Sequence, residues 1–245
     1  MRIGKKLEEE KMIPKKIHYC WFGCGEKPNI AKKCIASWKE FCPDYEIIEW
    51  NETNVDIRGN PYMEMCYDNK KYAFLSDYVR LVIVEKYGGI YLDTDVELLS
   101  SIDPLLVNQG YVGFETVSYV NTGMGFGSVA HGKMVRMMLS EYDKLLDGKH
   151  GVIGCPILNT EALLKLGMKQ DGTYQKLVDC TIYPIEWFNP YDDPTGTLNQ
   201  TDNTMSIHWY SKTWMSKSAV FRSYCTKPIH RLQKKLNEFQ HRQEF

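Results

Sequence analysis

The spacing of apolar residues predicts alternating strands and helices from near the start of the chain. Ile17 to Phe22 has the apolar and aromatic composition of a first strand, and it runs into a glycine turn. Apolar residues at helical spacing then begin at Asn29, the predicted cap, and the helix is broken by Pro43. Tyr45 to Trp50 is predicted as a second strand. Strand, helix and strand in this order begin a parallel α/β sheet.

The middle of the chain predicts a long helix that leads directly into a short strand. The helix covers Lys71 to Tyr87, is apolar all round and stops at Gly88-Gly89, and Ile90 to Leu92 forms the strand. We expect this helix to be buried. The later predictions are strands at Tyr111–Phe114, Thr181–Pro184 and Met205–His208, a glycine-rich segment at Asn121–Gly127, helices around Lys133–Leu146 and from Ile229, and a loop at Trp187–Asn203.

The composition mainly excludes other classes of protein. Thirty Lys and Arg against 31 Asp and Glu leave a net charge of −1, which argues against a dedicated nucleic-acid binder. No apolar run approaches the roughly 20 residues that span a bilayer. The first eleven residues resemble no secretory signal, so we expect a cytoplasmic protein. Without a repeat or a linker, one domain over residues 1–245 is predicted.

Eight cysteines require an interpretation, because they form no CxxC pair. We expect reduced and mostly buried thiols. The alternative is a zinc site within the four-cysteine stretch of Cys20, Cys24, Cys34 and Cys42.

The candidate chemistry centres on Asp93 and Asp95, which follow the strand at Ile90 to Leu92. Carboxylates at i and i+2 point the same way and can converge on one cation, and Mg²⁺ and Mn²⁺ prefer oxygen ligands. Ligands of α/β folds gather at this carboxyl edge of the sheet. The alternative is an ordinary solvated acidic turn.

A second candidate pair, Asp77 and Arg80, shares one face of the preceding helix. A surface ion pair would contribute little. Because the helix is expected to be buried, and buried charges need partners, we favour a position facing a polar cavity beside the carboxylates.

Four ordered segments together resemble a known enzyme family. They are Ile13–Gly23, Ser37-Trp38, Ala73–Arg80 and Gly88–Asp95. They resemble glycosyltransferase family 32, the DXD sugar transferases of bacterial capsule and lipopolysaccharide synthesis and of fungal mannosylation, with clostridial glucosylating toxins as distant relatives. The resemblance covers residues 13 to about 130, and residues 208–214 extend it more weakly.

The resemblance implies an α/β fold of the GT-A type, a single Rossmann-like domain with a mixed central sheet. Its nucleotide-sugar half would cover residues 13–130, and its acceptor and closing half residues 131–245. The implied reaction is a metal-dependent, retaining transfer from a nucleotide-sugar, expected to be UDP-linked, with Mn²⁺ or Mg²⁺. The implied acceptor is a glycan or a lipid-linked oligosaccharide in capsule or surface polysaccharide synthesis.

The resemblance also assigns residues to roles. It implies that Asp95 binds the metal directly and that Asp93 contacts the ribose or the metal through water. It also implies that Asp77 and Arg80 hold the donor's sugar and diphosphate. Asn121 would lie near the leaving group and the acceptor. His208 is a third metal ligand, a hydrogen-bond partner of the phosphates or a core histidine, and the sequence leaves these open. The implied base pocket comprises Ile17, His18 and Trp21.

Two other functions remain open at this point. Leu92 to Val96 also resembles the nucleophile motif of haloacid-dehalogenase-like phosphatases. A non-catalytic carbohydrate- or Ca²⁺-binding module would not need a buried Asp77–Arg80 pair.

The last predicted helix is both basic and amphipathic, and the sequence predicts no oligomeric state. Such a helix can contact an anionic membrane peripherally, but packing of its apolar side on the core is the favoured interpretation. Its basic residues are Lys227, Arg231, Lys234 and Lys235, and its apolar residues are Ile229, Leu232, Leu236 and Phe239.

Overall fold

The computed structural model describes residues 12–212, 218, 221–223 and 225–233. A seven-stranded mixed sheet, ordered β2-β1-β3-β6-β5-β8-β7, forms its centre. The strands in chain order are β1 (Lys16–Cys20), β2 (Glu46–Trp50), β3 (Gly89–Tyr91), β4 (Val96–Leu98), β5 (Gly110–Phe114), β6 (Val120–Ser128), β7 (Gln175–Lys176), β8 (Thr181–Tyr183), β9 (Tyr191–Asp192), β10 (Thr197–Leu198) and β11 (Ser206–His208).

Helices connect and cover these strands. They are α1 (Asn29–Phe41), α2 (Pro61–Asp68), α3 (Tyr72–Tyr87), α4 (Lys133–Ser140), α5 (Cys155–Lys165) and α6 (Ile185–Phe188), with 3₁₀ turns at Ile57–Gly59, Asp103–Leu105 and Asp143–Leu145. Residues 225–233, here called the C-terminal helical segment, are also helical. Within the described ranges, none of the helices combines the length and apolar character needed to cross a bilayer.

Strand pairing explains why the candidate site forms at one edge of the sheet. β1 lies parallel to both β2 and β3, so the carboxyl ends of these three strands meet at the same edge. β6 is antiparallel to β3, while β5 and β8 are parallel to each other. Outside this sheet β11 pairs antiparallel with β4, which places His208 opposite Val96. A segment from late in the chain therefore lies directly beside the Asp93–Asp95 turn.

Two apolar clusters lie on the two faces of the sheet. Successive strand residues alternate between them, since Ile90 belongs to one cluster and Tyr91 to the other. Helix α1 contributes Trp38 to the first cluster, and α3 contributes Leu75 to the second. Helices on both faces of this mixed sheet, in which β2, β1, β3, β5 and β8 run the same way, define the α/β class, as predicted.

Several predicted elements differ from the structure in their details. Pro28, not Asn29, occupies the cap position of α1. The glycine-rich segment is strand β6, whose residues are all buried. Seven of the sixteen residues of helix α3 are buried and Val82 is exposed, so the helix is not buried all round. The predicted helix over Lys133–Leu146 ends at Ser140 and is followed by a separate 3₁₀ turn.

Other elements were missed by the apolar pattern. α2 begins with Asn60, whose side chain accepts hydrogen bonds from the amides of Tyr62 and Met63, and Pro61 occupies its first turn. These are common signals of a helix start, but the apolar pattern of α2 is weak. α5 was also missed, and the predicted loop at Trp187–Asn203 contains the β9–β10 hairpin.

The C-terminal helical segment does not pack as predicted. Its basic side faces the protein: Lys227 Nζ lies 2.8 Å from the Tyr191 hydroxyl, and Arg231 donates to the carbonyl of Thr195. Ile229 and Leu232 are 56% and 60% exposed, so the expected packing of this apolar side on the core is wrong for these two residues. Lys234, Lys235, Leu236 and Phe239 lie outside the described residues.

Candidate functional site

The Asp93–Asp95 turn is an extension of the central sheet. The amide of Leu92 donates to the carbonyl of His18 at 3.0 Å, and the amide of Asp93 donates to the carbonyl of Gly123 at 3.1 Å. A turn then closes through the amide of Val96 and the carbonyl of Asp93, at 3.0 Å. Backbone bonds to β1 and β6 therefore hold the first carboxylate at the carboxyl edge of β3.

Asp93 is held by side chains from the same half of the chain. Its Oδ1 lies 3.1 Å from Arg80 Nη2 and accepts a hydrogen bond of 2.9 Å from the Tyr91 hydroxyl. The guanidinium carbon of Arg80 stands 4.7 Å from the centre of the Tyr91 ring. Charge, hydrogen bonding and a cation–π contact together orient this carboxylate.

Arg80 is surrounded by acceptors within the protein. Its side chain is 3% exposed, and Nη2 also lies 2.9 Å from Asp77 Oδ1. Its Nε donates to the carbonyl of Ser76 at 3.1 Å. Burial of Asp77 and Arg80 agrees with the sequence expectation. Its donors are directed at Asp77, Asp93 and Ser76, so Arg80 orients Asp93, and the predicted contacts of Asp77 and Arg80 with a donor stay a prediction.

Asp95 is held from the opposite end of the chain. Its Oδ1 lies 3.3 Å from His208 Nε2, and its Oδ2 accepts a 2.7 Å hydrogen bond from the amide of Ser211. The amide of Trp209 donates to the carbonyl of Asp95 at 2.9 Å. These contacts follow from the β4–β11 pairing, and they make the second carboxylate depend on residues that follow it by more than 110 positions.

The two carboxylates have opposite electrostatic environments. Burial raises the pKa of Asp93, and the neighbouring negative charges of Asp95 and Asp77 add to this, while Arg80 opposes it. Burial also raises the pKa of Asp95, but the charge of His208 and the hydrogen bond from the Ser211 amide outweigh this effect. The pKa of Asp95 therefore lies below its usual range. The reciprocal attraction of Asp95 raises the pKa of His208 against the effect of its burial.

Asp93, Asp95 and His208 have the composition and geometry of a metal site. One ligand atom from each lies within 4.8 Å of the others. His208 is 7% exposed, and its Nδ1 is a buried nitrogen without a hydrogen-bond partner. Two carboxylates and one imidazole fit a divalent cation that accepts both oxygen and nitrogen. The residues predicted from the sequence as metal ligands are thus brought together.

The predicted Asn121 lies at the same site through strand β6. Its Oδ1 accepts from the amide of Gly123 at 2.7 Å, and its Nδ2 donates to Glu115 Oε1 at 2.9 Å. A β-carbon on Gly123 would clash with Oδ2 of Asp93 and stand 3.0 Å from Arg80 Nη1. Glycine at this position therefore allows the backbone of β6 to lie directly against the Asp93–Arg80 pair.

Two members of the predicted base pocket are not at the site surface. Ile17 and His18 are both fully buried. His18 Nε2 lies 2.9 Å from the carbonyl of Gly88, and its Nδ1 lies 3.1 Å from the indole nitrogen of Trp50. Both ring nitrogens of His18 therefore have partners within the protein, and a role of Ile17 and His18 in binding a nucleotide stays a prediction.

Trp21 has the exposure that a base-stacking residue requires. It is half-buried just beyond the end of β1, and its indole nitrogen donates to the carbonyl of Gly25 at 2.7 Å. Its ring centre is 5.7 Å from Lys27 Nζ. Its role in binding a nucleotide stays a prediction.

Several side chains around the site were missed by the sequence analysis. Tyr91 lies two residues before Asp93, and the strand alternation could have indicated that both point to one face. Glu115 and Tyr210 carry no such signal, because the 3.1 Å contact between Tyr210 Oη and Glu115 Oε1 joins residues 95 positions apart. Asn159 reaches the site through a 2.9 Å hydrogen bond to Thr122.

The cysteines are all free thiols, and all but Cys24 and Cys225 are buried. Burial raises the pKa of Cys20 to about 12, which favours the neutral thiol. In the ranges that the structure describes, Asp93, Asp95 and His208 form the one group of metal-ligating type, and it contains no cysteine.

The mixed α/β sheet and the DXD turn beyond β3 define the fold class as the GT-A type. Residues 28–111 match the family described as "glycosyltransferase sugar-binding region containing DXD motif". The predicted resemblance and fold class are confirmed, and the matched description agrees with the predicted enzyme class. The solved PaToxG glycosyltransferase shares the fold with a TM-score of 0.53, at 17% identity over 67% of this chain and 76% of that chain.

Two curated relatives come from Schizosaccharomyces pombe. Inositol phosphoceramide mannosyltransferase 3 is 34% identical over 122 residues, which cover 46% of this chain and 33% of that protein. Inositol phosphoceramide mannosyltransferase 2 is 29% identical over 145 residues, which cover 56% and 41% of the two chains. The chain therefore spans less than half the length of either relative.

Proposed function

We propose that the protein transfers a sugar from a nucleotide-sugar to a hydroxyl group of a glycan or lipid-linked acceptor, in a metal-dependent reaction that retains the anomeric configuration. The observation that carries this proposal is the convergence of Asp93, Asp95 and His208 at the carboxyl edge of the sheet. The matched DXD family and the GT-A fold support the same reaction class.

The proposed cation is Mn²⁺ or Mg²⁺, held by Asp93, Asp95 and His208. When bound, it stabilises the negative charge that develops on the departing diphosphate. The mixed oxygen and nitrogen ligands favour Mn²⁺, because Mg²⁺ is usually bound through oxygen. A UDP-linked donor is proposed on the family resemblance.

The chain's own residues would orient the reacting groups. Arg80 and Tyr91 hold Asp93, while His208 and the Ser211 amide hold Asp95, so both carboxylates are in place before a donor arrives. In the proposed step the bond between the sugar carbon and the phosphate oxygen breaks as the acceptor oxygen bonds to that carbon from the same face. Attack on the face that the phosphate leaves accounts for retention, and the acceptor proton passes to the departing phosphate.

The two alternative functions are not favoured. The matched family region contains both Asp93 and Asp95, and its description is that of a sugar transferase. A binding module also does not explain why Arg80 is buried between two carboxylates. Burial of these three charges costs desolvation energy, which a role in the reaction would explain.

We further propose that the enzyme works in capsule or surface polysaccharide synthesis at the cytoplasmic face of a membrane. Exposed Ile229 and Leu232 support a peripheral contact, since their apolar side chains are available on the C-terminal helical segment. The double change Ile229→Ser with Leu232→Ser should reduce sedimentation with anionic vesicles. Equal sedimentation of both proteins would refute this contact.

The experiment that tests the reaction is a screen of nucleotide-sugars for hydrolysis and transfer with Mn²⁺. One donor should be consumed by the wild type and not after removal of the cation with a chelator. Asp95→Asn should lose this turnover, while Glu40→Gln, on the exposed side of α1, should keep it. Turnover that is independent of a cation would contradict the proposal.

A further inference from the structure

A cleft of about 560 Å³ is lined in part by Tyr210, whose ring contacts the ring of His208. Strand ends and the late loops form its walls, and its volume falls within the range typical of small-ligand sites. Twelve residues line it: Glu115, Thr116, Ile185, Glu186, Asn189, Pro190, Tyr191, Asp192, Asp193, Pro194, Asn199 and Tyr210.

Two contacts connect this cleft to the candidate catalytic site. Glu115 accepts from Asn121, which bonds to the backbone of Gly123 beside Asp93. Tyr210 lies with its ring 4.1 Å from the ring of His208. The cleft is thus connected through Glu115 and Tyr210 to side chains that surround the metal-ligating group.

The lining is acidic, aromatic and rich in hydrogen-bonding groups. It includes four carboxylates, and none of the described residues that line it is Lys or Arg. Lys212 and Lys227 reach one of these carboxylates, that of Asp193, at 2.6 and 3.3 Å. Glu115 and Glu186 show no ion pair with a described cation. The cleft therefore keeps negative charge that would oppose a phosphate or a carboxylate.

A buried amide in the wall gives independent support for a ligand. Asn189 is 7% exposed, and its Nδ2 donates to the Tyr210 hydroxyl at 2.8 Å. Its carboxamide oxygen has no hydrogen-bond partner. Unsatisfied buried polar atoms are uncommon, and a hydroxyl-bearing ligand would supply the kind of donor that this oxygen lacks.

We infer that this cleft binds the acceptor and selects an uncharged, polyhydroxylated glycan over one that carries phosphate or carboxylate groups near the reacting hydroxyl. Carboxylates and amides accept hydrogen bonds from sugar hydroxyls, and Tyr191 and Tyr210 offer ring faces for the sugar. Like charges brought together in an interface select against the wrong ligand. This inference rests on the proposed transferase function and adds the acceptor class to it.

The test compares neutral methyl oligosaccharides with matched acceptors that carry one uronic acid or one phosphate. We expect kcat/KM for the neutral acceptor to exceed that for the charged one by about tenfold or more. Glu186→Gln removes one negative charge from the cleft at nearly constant side-chain shape. It should lower the ratio of kcat/KM for the neutral acceptor to kcat/KM for the charged acceptor severalfold. Glu40→Gln, outside the cleft, should leave the ratio unchanged. Because both acceptors are measured with the same donor, a change in donor binding affects both rates equally and leaves their ratio unchanged.

Equal rates for both acceptors, or a ratio that Glu186→Gln leaves unchanged, would overturn the inference. Hydrolysis of the donor in the absence of acceptor, measured in parallel, reports on the proposed function itself. Should that hydrolysis fail, NMR titration of the wild type with the same methyl oligosaccharides still tests the cleft. Neutral glycan binding that is stronger than charged glycan binding supports it, and the reverse order refutes it.

Discussion

The two carboxylates of the DXD turn are held by different regions of the molecule. Asp93 contacts Arg80 and Tyr91, which lie within 13 residues of it in the chain. Asp95 contacts His208 and Ser211, which reach it only because β11 pairs with β4. One half of the metal-ligating group is therefore built locally, whereas the other half requires the C-terminal part of the fold.

This difference assigns separate roles to the two sides. The Asp93 side is a closed network of buried charges, with Arg80 between Asp77 and Asp93. The Asp95 side ends in a buried histidine nitrogen without a partner. We therefore expect changes on the Asp93 side to affect folding as well as turnover, and changes on the Asp95 side to affect mainly the cation and the reaction.

The largest effect on folding is expected for Arg80→Met. It leaves two carboxylates beside each other without their cation, and removing one member of a buried ionic group costs about 3–5 kcal/mol. Urea unfolding should show this loss in the free energy of unfolding. Arg80→Met with Asp77→Asn should recover part of it, because one uncompensated charge is gone. A loss below about 1 kcal/mol would show that the Asp93 side is not a closed network.

Asp95→Asn is expected to act on turnover rather than folding. An amide is a poorer cation ligand than a carboxylate, and we expect turnover to fall by about 100-fold or more, which corresponds to about 2.7 kcal/mol. The melting temperature should stay within a few degrees of the wild type. Steady-state kinetics with Mn²⁺ measure the turnover, and a thermal melt measures the stability. A lower melting temperature with unchanged turnover would contradict a role of Asp95 in the reaction.

Gly123→Ala should displace the Asp93–Arg80 pair. The added β-carbon would clash with Asp93, and overpacking of this kind costs on the order of 2 kcal/mol. The matched control is Gly25→Ala, since nothing lies within 4 Å of the place that its added methyl group would take. Chemical unfolding of both variants measures the contrast. Equal stability of Gly123→Ala and the wild type would mean that β6 does not constrain Asp93.

The smallest effect concerns His18, whose burial lowers its pKa from the ordinary 6.5. Its Nδ1 faces the Trp50 indole N–H, so a proton on that nitrogen would lose this partner. The unfolded chain binds the proton at higher pH than the folded chain. The stability from neutral His18 is therefore complete above about pH 6.5 and declines as the pH falls, by at most about 1.4 kcal/mol per pH unit.

Unfolding free energies measured between pH 7.5 and 5.5 check this dependence. In His18→Gln the slope should flatten, because the titrating group is removed. An unchanged slope would mean that other groups control stability in this range.

The Asp93 side of the site could be predicted because the residues that form it lie close together in the sequence. Asp93 and Asp95 come directly after a short apolar strand that itself follows a glycine pair, and Asp77 and Arg80 are spaced to share one helix face. The buried charges of α3 followed from its apolar flanks. These inferences need only the periods of strands and helices.

The remainder of the site depends on pairings that no local pattern contains. Ile17 and His18 lie in a strand that is buried on both faces, so the sequence alternation cannot show which face is covered. Glu115 and Tyr210 meet only through the approach of two distant loops. The C-terminal helical segment turns its basic side to the protein because Asp193 lies opposite Lys227, a contact that its own periodicity cannot show.

The central claim is that His208 joins Asp93 and Asp95 in holding a cation that binds the donor's diphosphate. Calorimetric titration of UDP with and without Mn²⁺ tests it most directly, on the wild type, His208→Ala and the exposed control His150→Ala. Mn²⁺ should tighten UDP binding in the wild type and in the control. In His208→Ala we predict a loss of this tightening by about tenfold or more, with unchanged binding of UDP alone. Equal tightening by Mn²⁺ in His208→Ala and the wild type would contradict the account.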